Sequence, residues 1–64
     1  MLFIVSVNYY SYKASDMGHY RYEVSVAGQE NAYELGKKFA DADNVLSVDI
    51  IDAMTGEVIK SWEN

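Results

Sequence analysis

Apolar and polar residues along this chain alternate, then recur at helical spacing, then alternate again. "LFIVSVNYY" sets Phe3, Val5, Val7 and Tyr9 on one side of a two-residue period and is rich in β-branched and aromatic residues, which predicts a strand over about 2–12. "HYRYEVSVA" alternates more cleanly, with Tyr20, Tyr22, Val24 and Val26 against His19, Arg21, Glu23 and Ser25, a second strand with one wet face. Between them "KASDMG" carries Asp16 and Gly18, residues suited to a turn, so the two strands are expected to form an antiparallel hairpin.

The period then changes. In "GQENAYELGKKFADAD" Ala32, Leu35, Gly36 and Phe39 recur at three and four while Glu30, Glu34, Lys37, Lys38 and Asp41 fall opposite, an amphipathic helix of about 29–41. Gly36 lies on the apolar stripe, where it costs ~1 kcal/mol of helix propensity and lets the helix approach its neighbour closely. Alternation returns in "VLSVDIID", with Leu46, Val48 and Ile50 in phase, and in "EVIKSWE", with Val58 and Trp62 in phase. The link "AMTG" suits a type I turn closed by a left-handed bulge residue.

The order strand, strand, helix, strand, strand predicts a single α+β domain over 1–64, a ββαββ unit with one helix on one face of a mainly antiparallel four-stranded sheet. A right-handed crossover from the second strand to the third gives the strand order 2-1-3-4. The alternative, 2-1-4-3, is the β-grasp arrangement. The first is preferred because the third strand is more apolar than the fourth, as a central strand should be.

One helix covers one face, and Phe3, Val5, Val7, Tyr20, Tyr22, Val24, Val26, Leu46, Val48, Ile50 and Trp62 fill it. Leu2, Ile4, Tyr10 and Tyr12 alternate onto the other face, with Ile51 and Ile59 joining them from the second hairpin. Exposed apolar patches of several hundred Å² mark contact sites. Tyr20 and Tyr22 are accordingly expected in the core, and Tyr10 and Tyr12 as anchors for a partner or for a homodimer through the uncovered face.

Charge narrows the partner. The net charge is −5, and the excess lies wholly in residues 29–64, where eight carboxylates stand against three lysines. Such a field repels nucleic acid and favours basic protein surfaces. The chain has no cysteine, hence no disulfide or thiolate metal site. "MLFIVSV" lacks the basic residues of a secretory signal and the length of a membrane span, so a cytoplasmic protein without membrane contact is expected.

Candidate chemistry is sparse. His19 is the sole histidine, and a nucleophilic triad would need a serine or cysteine and a carboxylate gathered around it in a cleft that so small a domain hardly offers. "DADN" lacks the glycine and distal glutamate of a calcium loop, and no glycine-rich phosphate loop exists. The sequence therefore predicts no catalytic, cofactor or metal site. Tyr10, Tyr12, Lys13, His19, Arg21 and Tyr22 could form a basic-aromatic platform for single-stranded bases, but the surrounding acidity disfavours direct nucleic-acid binding.

The second half, "AYELGKKFADADNVLSVDIIDAMTGEVIKSWE", resembles the helix-plus-hairpin end of very small phage and prophage proteins, whose "D-x-x-T-G-E-V" turn is matched by Asp52, Thr55, Gly56, Glu57 and Val58. In size, acidity and layout the chain is similar to some anti-CRISPR proteins. That resemblance implies inhibition by binding, in the cytoplasm of a host cell, and carries over no functional residue. The expectation is a non-enzymatic acidic interaction protein that meets a basic surface of a host nucleic-acid-handling complex. The residues expected to contact it are Tyr10, Tyr12, Asp41, Asp43, Asp49, Asp52, Glu57 and Glu63. A single-stranded nucleic-acid module and a structural homo-oligomer are the alternatives.

Overall fold

The computed structural model describes residues 1–13 and 16–64, with the side chains of all of these except 12, 13, 16 and 17. Strands β1 (Leu2–Lys13) and β2 (Asp16–Ala27) precede helix α1 (Gln29–Ala40), and strands β3 (Val45–Asp52) and β4 (Val58–Glu63) follow it. All neighbouring strands are antiparallel and the sheet order is β2-β1-β3-β4. The preferred ββαββ topology is therefore the one adopted.

The hairpin is longer than its sequence suggests. β1 and β2 pair without a register shift from Leu2↔Ala27 to Lys13↔Asp16, so Asp16 and Gly18, expected in the turn, continue the ladder. Ala14 and Ser15 of the expected turn lie outside the described residues.

Phe3, Val5 and Val7 of β1, Val45, Val48 and Ile50 of β3, and Ala32 of α1 are buried together as the core. Tyr9, Val24, Val26, Tyr33, Leu35, Phe39 and Trp62 pack around them. Gly28, with φ 89°, turns the chain from β2 into the helix, and its N–H donates to Met1 O at 2.9 Å. At the other end Asn64 Nδ2 donates to Ala40 O at 2.8 Å and Val45 O at 2.9 Å, satisfying a helix-terminal carbonyl that has no partner within the helix.

Two β-bulges change which side chains face the helix. A shift between Asn8 and Tyr9 against β3 pairs Tyr9 with Val45, so Val45 enters the core in place of the expected Leu46. A second shift makes Ile59 an extra residue between the pairs Ile50↔Lys60 and Ile51↔Val58. Ile59 consequently packs on the core, and Val58, expected in phase with Trp62, is left half exposed beside Ile51.

Tyr22 also departs from expectation. It is on the helix face but 48% exposed, touching Phe39 edge-on at a centroid distance of 6.0 Å. The cause is lateral position: its neighbour Val7 is buried in the same row, but α1 lies mainly over β1 and β3, so the edge strand β2 is only partly covered. Truncating Tyr22 to alanine at this half-covered site should cost roughly 1–2 kcal/mol, below the 3–5 of a buried aromatic.

Gly36 is the closest approach of the two layers. A Cβ there would lie 2.7 Å from Trp62 Cζ3 and 2.8 Å from Ile50 Cδ1. Gly36→Ala should therefore lower stability by about 1–3 kcal/mol through overpacking, although alanine adds ~1 kcal/mol of helix propensity. Urea unfolding of the variant checks this, and a stabilised protein would show that Trp62 swings aside freely.

Candidate binding surface

The uncovered face of the sheet is built from the residues that alternate with the core. Strand register places Leu2, Ile4, Ser6, Asn8 and Tyr10 of β1 there, flanked by Ser25, Glu23, Arg21 and His19 of β2 and by Ile51, Asp49 and Ser47 of β3. This face is not one apolar patch. Its middle is a polar belt in which Ser6, 2% exposed, lies between Glu23 and Asp49.

Hydrogen bonds tie the belt across the strands. Asn8 Nδ2 donates to Ser47 Oγ at 2.9 Å, Arg21 Nε approaches Asn8 Oδ1 at 3.5 Å, and Ser61 Oγ donates to Asp49 Oδ1 at 2.6 Å. Asp49 is thus one of the expected contact residues, half-buried and already engaged by a neighbour.

Apolar side chains collect at one end of the belt and an aromatic pair at the other. At one end Leu2, Ile4, Ile51 and Val58 adjoin the β3–β4 turn, which is held to β1 by Ala53 N–H donating to Leu2 O at 3.2 Å. Met54, at the turn's tip, is 85% exposed, and Met1, Leu2, Ala53 and Met54 line a shallow hollow of about 290 Å³. At the other end Tyr10 meets His19 edge-on at 4.4 Å, with Arg21 on the same face. Tyr10 is fixed by its backbone, its N–H donating to Asn44 O at 2.9 Å and its carbonyl accepting from Asn44 Nδ2 at 3.0 Å. The side chain of Tyr12 lies outside the described residues.

On the helix side, where α1 stops short, Val7, Tyr9, Tyr22, Phe39, Ala42, Asn44 and Val45 surround an open hollow of about 240 Å³. Tyr9 and Tyr20 pack ring to ring beyond it at 5.9 Å.

The expected acidic residues do not converge. Asp41 and Asp43 sit in the α1–β3 connection, and Glu63 pairs with Ser47 at that same end of β3. Asp52 and Glu57 sit at the opposite end, in the β3–β4 turn, ~23 Å away along the strand. Asp52 has a structural task that its sequence position half disclosed. Its Oδ1 accepts from Met54 N–H at 2.8 Å and Thr55 N–H at 3.3 Å, while its backbone exchanges hydrogen bonds with Gly56 and Glu57. Gly56, at φ 77°, supplies the left-handed residue that the "AMTG" link predicts.

Among the described residues no three histidine, cysteine, aspartate or glutamate side chains are grouped to hold a metal, and no helix is long and apolar enough to cross a membrane. Comparison with protein-family models, curated proteins and solved structures finds no match to this chain.

The two carboxylates of the turn should separate by experiment. Asp52→Ala loses both side-chain hydrogen bonds and should cost about 1 kcal/mol in urea unfolding, whereas Glu57→Ala, whose carboxylate the turn does not use, should stay within ~0.5 kcal/mol of the parent.

Proposed function

We propose that this chain is a non-enzymatic binding domain that docks on a basic surface of another protein. The observation that supports it is the end of the uncovered face where Leu2, Met54 and Val58 are exposed next to Ile4 and Ile51, with the carboxylates of Asp52 and Glu57 at the same turn. Flexible methionines suit an adaptable contact, and charges at its rim suit a cationic partner. The resemblance to small phage proteins supplies the class of partner, a host nucleic-acid-handling complex such as a CRISPR effector. Inhibition would follow from occupying the basic surface that phosphates otherwise fill.

The test is titration of the chain against purified CRISPR effector complexes, reading both binding and loss of target-DNA binding. Met54→Glu and Val58→Glu, at positions the fold leaves exposed, should weaken binding about tenfold, corresponding to ~1.4 kcal/mol each. Glu57→Lys should slow association, and added salt should imitate it. Unchanged affinity in all three variants would remove this end from the contact. The alternative use of the Tyr10, His19 and Arg21 cluster, stacking on single-stranded bases, requires oligonucleotide binding at low salt that Tyr10→Ala abolishes.

A further inference from the structure

The free edge of β2 is self-complementary, and we infer that two copies of this chain pair through it, antiparallel, about a two-fold axis at Tyr22. This inference stands independently of the partner proposed above.

Backbone directions decide which residues the edge offers. On β1, Tyr10 N–H donates to Asn44 O and Leu2 O accepts from Ala53, so the even residues turn their N–H and C=O groups toward β3. Met1 O accepts from Gly28, at the end of β2, so the odd residues turn the other way. The β1–β2 ladder pairs odd with even, as in Val5↔Val24, Val7↔Tyr22 and Tyr9↔Tyr20. Even residues of β2 therefore bond inward to β1, and His19, Arg21, Glu23 and Ser25 direct their N–H and C=O groups out of the sheet. Among the described residues no strand pairs with that edge. Twelve residues of edge strand, paired with β1 without a register shift, form a template for another strand.

Charge selects one register from those the backbone permits. For outward groups to meet outward groups in an antiparallel pair, odd residues must oppose odd residues. An axis at Arg21 would put Arg21 against its own copy, and an axis at Glu23 would oppose two glutamates. With the axis at Tyr22, Arg21 opposes the second copy's Glu23 twice over, and His19 opposes Ser25 twice over. Opposite charges across strands attract and like charges directly opposite repel.

The same axis lies within half a residue of the middle of β2, so it also keeps nearly the whole strand in register. On the helix face it brings the two half-exposed Tyr22 rings together as a closely spaced pair that exchanges no backbone hydrogen bonds, with Tyr20 against Val24 on either side. The helix lies mainly over β1 and β3, leaving that seam open. The product is a continuous eight-stranded sheet.

Sedimentation equilibrium and oxidative cross-linking test this. The parent should dimerise, with a mass approaching twice 7.2 kDa. Arg21→Glu and Glu23→Arg should each raise the dissociation constant about tenfold or more, since each turns two attractive pairs into two repulsive ones, and the double exchange should restore it. Circular dichroism confirms that each variant folds. The chain has no cysteine of its own, so Tyr22→Cys should cross-link under mild oxidation, the paired Cα atoms lying at ~4.5 Å, within disulfide reach. Ser25→Cys, offset from its own copy by six residues or ~20 Å, should not. A parent that stays monomeric at millimolar concentration, a double exchange that fails to restore association, or Ser25→Cys cross-linking as readily as Tyr22→Cys would each overturn the inference.

Discussion

One short helix must cover one long hairpin, and that mismatch governs most of what the surface looks like. The molecule extends 39 Å in its longest direction, about twice the ~18 Å that α1 can shield. Burial is consequently concentrated in Phe3, Val5 and Val7 of β1 and Val45, Val48 and Ile50 of β3, the two strands that α1 mainly overlies. Away from that cover, on the edge strand β2 and toward the hairpin tip, the same alternation continues through Tyr22, Tyr20 and Tyr9 with a partial roof. Tyrosine suits such positions because its ring packs while its hydroxyl stays wet. The enrichment of tyrosine in the hairpin is thus a response to incomplete cover.

The strand and helix periods made the architecture legible. β3 runs over 45–52, as "VLSVDIID" suggests, α1 ends one residue early, and the order β2-β1-β3-β4 follows from a crossover and an apolar third strand. What the sequence concealed are local shifts of one residue. A single extra residue exchanges Leu46 for Val45 and Val58 for Ile59, because a period of two converts any slip into a change of face. The polar belt was hidden for a related reason: Ser6, Asn8, Asp49 and Ser47 are unremarkable in their own strands and form a belt only once register sets them side by side. Tyr22 was misplaced because alternation reports which face a residue points to, not how far the opposing layer reaches.

The acidic residues show how composition and geometry differ. Counted along the chain they form one negative half, yet in space Asp41, Asp43 and Glu63 lie at one end of β3 and Asp52 and Glu57 at the other. A separation of ~23 Å exceeds two screening lengths at physiological salt, ~8 Å each, so the two groups act on a partner separately. Asp52 is further committed by its turn, and Asp49 by Ser61. Net charge therefore describes the far field of this protein, while close contact depends on a few carboxylates that the fold leaves uncommitted.

The strand at the heart of the sheet, β1, is made long before one of its two neighbours. Synthesis runs from β1 through β2, and a hairpin can close in ~1–10 μs, but β3 is made only after the whole of α1. Through that interval the β3-facing edge of β1 is bare, and Phe3, Val5 and Val7 have no helix above them. The small polar side chains of Ser6 and Asn8 on the opposite face make the nascent hairpin less adhesive than an all-apolar strand would be.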